Sequence, residues 1–395
     1  MLFAGERYLK LHRIIFIALG LWPYQKSFIW RIQAVFFFSA YCSTFFSQSL
    51  TFVTMACNMD CTLKRLSFFF VYFIQILSYY SFYFNSEIIK KALKHMQFDW
   101  KLFENSEAMN IFEEYLFEAY IYIFSAIIFV GLASIVFLTF ECRAVILDII
   151  APMNECRPRK TEIDLELFVN EEQYFHLYVI QETLGSFIAN LSIIAIGMFF
   201  AIVAKHLCAT YKIASCLIRN AVTIRTLQLP VAQRMLFMHR SICLSVHIHR
   251  RSMQFTNNLI ISFNVWYFPL LLFCVLSLSC IMFRLYNAII LFNDFFEIFL
   301  SCLMFFSCIA YMFVANFLGQ SYIEHSAEVL ESIYDTLWYV APLPVQKLFL
   351  IMQKSVKSHK LIMGSLFVLS IEGFSTLITS AVSYFTVMHA MRSRV

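Results

Sequence analysis

The stretch LIMGSLFVLSIEGFSTLITSAVSYFTVMHAM, Leu361–Met391, decides how the chain is to be read. It is long and apolar enough to cross a bilayer, yet it repeats Thr and Ser at helical spacing. Thr376, Ser380, Ser383 and Val387 follow steps of four, three and four, with Met391 one turn further, so all five share one helical face. A stripe of small hydroxyls ending in two apolar side chains has two physical uses. It lines a water-filled pore, or it lets two helices approach closely. The residues by themselves leave both open.

The rest of the chain supplies the setting. Its 395 residues are 61% hydrophobic, 18% aromatic and 14% charged, with a mean hydropathy of +0.71, far outside the range of a water-soluble domain. An all-α membrane protein follows. Windows of about 20 apolar residues fall near Ile32–Ala56, Leu66–Ser86, Tyr115–Leu138, Leu184–Ala204, Leu259–Met282, Phe295–Phe317 and Leu361–Met391. The opening MLFAGERYLKLHR is basic and mixed, with no cleavable h-region, so the first apolar helix is expected to act as its own signal.

Charge sets the expected orientation. Lys205 to Phe255 carries eight Lys/Arg and no acid, whereas Glu141 to Glu182 carries nine acids against Arg143, Arg157, Arg159 and Lys160. The basic stretch therefore reads as cytoplasmic. Arg7, Lys10, Arg13, Lys26 and Arg31 fall on the same side by odd-even count, which puts the N-terminus inside and the C-terminus outside. That is the inverse of a G-protein-coupled receptor, and no DRY-like or NPxxY-like string is present. A seven-helix transporter is a second alternative, but with 8 Gly and 7 Pro the chain lacks the paired broken helices of that class.

Catalytic and metal patterns are missing. The 12 Cys form no paired CxxC or Cys/His set, no phosphate-binding loop or Ser/His/Asp order emerges, and neither an enzyme nor a cofactor, a metal or a nucleic-acid partner is expected. Cys57, Cys61, Cys142 and Cys156 fall in the expected outer loops, where disulfides are possible. His239, His247 and His249, beside Arg240, Arg250 and Arg251, read as contacts to membrane lipid headgroups or part of a helical anchor. Asn190-Leu191-Ser192 matches a glycosylation acceptor but lies inside an apolar window.

Three strings in the C-terminal third carry a resemblance. NFLGQSYIEHSAEVLESIYDTLWY (Asn316–Tyr339), the basic amphipathic VQKLFLIMQKSVKSHK (Val345–Lys360) and LIMGSLFVLSIEGFSTLITSAVSYFTVM (Leu361–Met388) resemble the insect odorant receptor family in content and order. LGLWP, Leu19–Pro23, is similar to the family's N-terminal string. Ser383-Tyr384-Phe385-Thr386 is the most diagnostic match, while Ala381-Val382 departs from the usual Tyr-containing form before it.

The resemblance implies a tetrameric, odorant-opened, non-selective cation channel with the last helix of each subunit round a central pore. It casts Val387 as the hydrophobic gate, Met391 as a second constriction, and Thr376, Ser380 and Ser383 as lumen hydroxyls. Glu372 stands at the inner end. It also implies three regions: 1–318 for the first six helices with an outer pocket, 319–360 for a cytoplasmic anchor, and 361–395 for the pore helix. Within the anchor a break at Pro342 and Pro344 is expected to separate two helices, the second with Leu348, Ile351 and Met352 on one side.

For the ligand, the resemblance points to the second, third, fourth and sixth windows in the outer half of the membrane. Phe69, Phe70, Tyr72, Phe73 and Ile76 are the candidates on the second, Gly131, Ser134 and Ile135 on the third, Phe187, Asn190, Leu191 and Ile194 on the fourth. Such a pocket suits a small volatile odorant. The short Lys205–Phe255 connection implies a ligand-tuned subunit rather than the shared co-receptor, working with that co-receptor in a heterotetramer or by itself in a homotetramer. The implied site is the plasma membrane of olfactory neuron dendrites. Gustatory receptors share the fold but end in a Gln-Phe string that this chain lacks.

Overall fold

The computed structural model describes residues 4–25, 28–104, 106–151, 157, 159–292, 295–355, 359–364 and 366–392. Lys26, Cys156 and the C-terminal Val395 lie outside these. The chain runs as α1 (Ala4–Ala18), α2 (Phe28–Thr54), α3 (Met59–Phe84), α4 (Ser86–Phe103), α5 (Ala108–Glu141), α6 (Arg143–Ile150), α7 (Phe175–Ala221), α8 (Ile224–Leu227), α9 (Val231–Asn287), α10 (Phe295–Tyr334), α11 (Leu343–Ser355) and α12 (Ile371–Arg392). A π-helical turn, Ala288–Phe292, follows α9, and a two-stranded hairpin, β1 (Ile362–Met363) and β2 (Phe367–Val368), precedes α12.

Every apolar window holds a helix. Five of them, α3, α5, α7, α9 and α10, are long and apolar enough to cross a membrane; α2 and α12 occupy the other two windows and are not in that set. At 1.5 Å per residue, the 47 residues of α7 and 57 of α9 extend about 70 and 85 Å, more than twice a bilayer's apolar core. The basic connection is thus mostly helix. Lys205 and Lys212 ride on α7 and Arg250 and Arg251 on α9, and the loop proper is the short segment around α8.

The last window needs a correction. Residues 361–364 and 366–370 are not helical: Gly364 takes φ +61° and turns the chain into the hairpin. Side-chain amides then replace helix bonds, with Asn264 accepting from the Gly364 amide at 2.6 Å and Asn316 accepting from the Ser370 amide at 3.2 Å. A Cβ on Gly319 would land on the Leu369 carbonyl oxygen, so only glycine lets the hairpin lie this close to α10. A single helix from Leu361 would forfeit these contacts.

α7 is the hub, packed against α3, α5, α9 and α10. The principal core spreads along it through Ile188, Phe199, Leu207, Tyr211 and Ile218 and reaches Phe82, Phe112, Phe263 and Tyr322 on its neighbours. At the end where α9 begins, the basic end, Tyr211 and Tyr322 hydroxyls meet at 2.8 Å, His359 Nδ1 joins Tyr322 at 2.8 Å, and Lys212 pairs with Glu328 at 2.6 Å. α11 buries Val345, Phe349 and Met352 there, with Leu348 half-buried. Ile351 lies on the opposite, exposed face instead of with Leu348 and Met352, because positions 345, 348, 349 and 352 form the helical stripe. Pro344 sits inside the first turn of α11, where its missing N–H is no loss.

The acidic end is closed differently. Arg65 binds Asp164 at 2.8 Å, Arg284 binds Glu297 at 2.8 Å, Arg143 binds Glu162, and Arg392 at the end of α12 binds Asp60 at 2.9 Å. Helix-borne cations thus pair with Asp164 and Glu162 of the acidic connection and with Asp60 and Glu297 beside it. Cys57 and Cys61 form a disulfide beside the start of α3, and Cys142 is a free thiol.

Candidate functional site

α3 starts at Asn58, whose side chain accepts from the Cys61 amide at 3.0 Å, and this cap fixes which residues face α7. Tyr72, Gln75 and Ile76 take that direction. Gln75 Nε2 donates to Asn190 Oδ1 at 3.2 Å, and Asn190 Nδ2 donates to Ser134 Oγ at 3.2 Å. A three-residue relay therefore links α3, α7 and α5 inside an apolar belt, where an unpaired amide would cost several kcal/mol, of order 2–7. Two residues further along α7, toward the basic end, Ser192 Oγ accepts from the Tyr41 hydroxyl at 2.9 Å. A Cβ on Gly185 would lie 2.8 Å from both Thr44 Oγ1 and the Tyr72 hydroxyl, so its bare backbone makes room for those two groups.

The aromatic candidates divide. Phe69 and Phe73 stack on each other at 6.2 Å, Phe73 meets Phe273 of α9 edge-on at 4.7 Å, and Phe70 meets the same ring at 5.9 Å. They face α2 and α9. Tyr72, Ile76, Leu191 and Ile194 pack into the core around the relay. Gly131, Ile135 and Phe187 lie on the exposed side of α5 and α7, with Ile135 62% and Phe187 60% exposed, and nothing lies within 4 Å of a Cβ placed on Gly131. Gln75, Tyr41, Thr44, Ser192, Gly185 and Phe273 join the site without having been singled out in the sequence. Gln75 alone carried a signal, as the one amide in the apolar run Leu66–Tyr80.

α12 is built on two faces. Gly373, Leu377 and Ala381 are buried, and Ser279 of α9 donates to the Ala381 carbonyl at 3.0 Å. Thr376, Ser383, Val387 and Met391 are exposed on the other face, and Ser380 is partly so. Each hydroxyl bonds back along its own helix: Thr376 to Glu372 O at 3.0 Å, Ser380 to Thr376 O at 2.8 Å, Ser383 to Thr379 O at 2.9 Å. The donated proton is spent on the backbone. The oxygen lone pairs remain directed away from the subunit, which suits a partly hydrated cation.

Neither region gathers metal ligands. Among the described residues one such group exists, His95, Asp99 and His206, at the basic end. Asn190, the glycosylation-motif residue, is held in mid-helix by its two side-chain bonds, and the His249 ring lies tilted against Tyr211 at 5.4 Å, apart from the exposed His247.

Residues 58–382 match the family described as 7tm Odorant receptor. Two solved structures share the fold: the insect olfactory receptor OR5 from Machilis hrabei in complex with eugenol, with TM-score 0.80 and 12% identity over 98% of each chain, and a second structure of OR5 from Machilis hrabei, with TM-score 0.75 and 12% identity over 97% of this chain and 98% of that one. No curated protein matches the sequence.

Proposed function

The chain belongs to the 7tm odorant receptor family, a multi-pass membrane receptor of olfaction, and on that premise we propose that it is an odorant-gated cation channel subunit. The observation that carries the channel reading is α12. One face is packed into the subunit, while the other presents hydroxyl oxygens and then Val387 and Met391 to whatever lies beside it. Four such faces round an axis give a lumen whose narrowest ring is apolar, and water leaves a narrow apolar ring. Odorant binding opens it.

The odorant sits beside the Gln75–Asn190–Ser134 relay, with Tyr72, Ile76, Leu191 and Ile194 round it. Eugenol is the ligand named for the Machilis receptor; here a small volatile molecule with one oxygen fits the chemistry, its carbon body held by burial and its oxygen by the relay. The basic end is cytoplasmic. The subunit divides by depth: 1–318 for the bundle, 319–360 for the anchor, 361–395 for the pore segment. Since α10 crosses residue 319 without a break, the first boundary marks a level along one helix. The co-receptor completes a heterotetramer in the plasma membrane of the olfactory neuron's dendrite.

Recording currents from cells that express the chain with and without the co-receptor, against an odour panel, tests this. Odorant-evoked cation current in the paired cells is expected. Absence of any evoked current at normal surface density removes the channel reading. A tag appended after Val395 should stain on intact cells, and staining only after permeabilisation reverses the orientation.

A further inference from the structure

We propose that His95, Asp99 and His206 form a binding site for a divalent transition-metal ion such as zinc, joining α4 to α7 at the basic end. α4 carries His95 and Asp99 one helical turn apart, so both project to one side. His95 Nε2 lies 3.3 Å and His206 Nε2 3.1 Å from the same oxygen, Asp99 Oδ2, and the three donor atoms lie within 4.8 Å of one another. Ligand bonds of about 2.0–2.1 Å put neighbouring donors of a tetrahedral zinc about 3.4 Å apart. Asp99 Oδ2 already sits at that spacing from each imidazole, and the two imidazole nitrogens lie within 4.8 Å of each other.

Its surroundings hold the ligands still. His206 is fully buried, stacked on Phe112 at 5.1 Å, and His95 is stacked on Phe255 at 4.2 Å with an interplanar angle of 9°. Burial, only partly opposed by Asp99, lowers the His95 pKa to about 4, so its imidazole is neutral and carries a free lone pair at cellular pH. Burial by itself would raise the Asp99 pKa, but the His206 hydrogen bond and the Arg251 guanidinium beside it help hold it below the usual carboxylate value. Two imidazole nitrogens and one carboxylate oxygen are a borderline-soft donor set that suits zinc.

Access is provided by a crevice that reaches both His95 and Asp99 and is lined also by Thr210, His247, Arg251 and Ser252. The fourth coordination position opens toward it. Arg251 tunes the affinity: Nη1 holds Asp99 Oδ1 at 2.9 Å, which leaves Oδ2 for the metal, while Nη2 lies 3.5 Å from His95 Nδ1. That nitrogen carries the proton once Nε2 is metal-bound and then no longer accepts from Arg251, whose guanidinium also overlies the Phe98 ring at 4.2 Å. Its positive charge opposes the metal and keeps the site exchangeable.

Full-length protein purified in detergent, loaded with zinc chloride and dialysed, is expected to retain about one zinc per chain, with X-ray absorption showing N/O ligands at about 2.0–2.1 Å. Thermal unfolding should shift upward with zinc. His95→Gln is expected to drop bound zinc to background and abolish the shift, while Arg251→Gln, which removes the opposing charge, is expected to raise occupancy at limiting zinc. Wild-type protein that leaves dialysis without zinc, a folded His95→Gln that keeps the wild-type amount, or a folded Arg251→Gln that binds less overturns the assignment. Should His95→Gln fail to fold, the wild-type retention and spectrum decide alone.

Discussion

α7 and α12 both carry polar stripes through apolar surroundings, and they satisfy them in opposite ways. On α7, Asn190 bonds Gln75 and Ser134, Ser192 accepts from Tyr41, Thr210 meets Ser252 at 3.0 Å, Tyr211 meets Tyr322, and Lys212 meets Glu328. Each partner belongs to another helix of the same subunit. On α12, Thr376, Ser380 and Ser383 bond only their own backbone and face outward. A polar group answered by a neighbouring helix fixes the subunit's own shape and its binding site. One answered by its own turn leaves the helix a polar face to offer to water, ions or another subunit.

Substitutions at four positions press on that contrast. The largest effect belongs to the α7 side: Tyr211→Ala empties a fully buried ring site and removes one of the two partners of the Tyr322 hydroxyl, a loss of about 3–5 kcal/mol by analogy with other aromatic-to-alanine core changes. Loss of surface expression and of a monodisperse peak in detergent is the expected outcome, and normal yield would show that α7 is not the structural hub. Next comes Gly185→Ala, whose new methyl meets Thr44 Oγ1 and the Tyr72 hydroxyl at 2.8 Å. A cost of about 1–3 kcal/mol is expected, together with altered odorant rank order, since Tyr72 must move. Dose-response curves across the panel read it.

Val387→Thr tests the other helix. The side chain is 56% exposed in the subunit, so stability should change by less than about 0.5 kcal/mol, while a hydroxyl in an apolar ring hydrates it and raises resting current. In the proposed mixed tetramer, co-receptor gates would keep part of the barrier. If Val387→Thr and the polar, bulkier Val387→Gln both leave resting current and odorant sensitivity unchanged at normal surface density, α12 is a packing seam. The smallest effect is Ser380→Ala. It removes a bond to the helix's own Thr376 carbonyl and should leave melting temperature unchanged; single-channel conductance is the quantity expected to fall.

The helices were legible because their signals are local. Apolar windows mark α2, α3, α5, α7, α9 and α10 directly, and a period-3.6 hydroxyl pattern marks the outward face of α12 at Thr376, Ser380, Ser383, Val387 and Met391. Helix length was not, because α7 and α9 continue into charged sequence that folds as helix only when Lys212 finds Glu328 and Thr210 finds Ser252. The same reason hides the hairpin before α12, whose turn depends on Asn264 and Asn316 from two other helices. Among the expected ligand residues, Phe69, Phe70 and Phe73 look equivalent to Tyr72 and Ile76 in a run of aromatics. A helical offset of one residue sends them toward α9 instead of α7.

The sequence by itself determined the solvent, the helical class and the family, since these rest on composition, on apolar window length and on strings that need no folded context. Tertiary structure alone decided which polar groups meet. Gln75, Asn190 and Ser134 are separated by 56 or more residues, and His95 and His206 by more than a hundred, yet they come within hydrogen-bonding range or share one carboxylate oxygen. Hydrophobic burial is a property each segment carries with it, whereas a hydrogen bond or a ligand set requires two surfaces at a fixed distance, and only the packed bundle sets that distance.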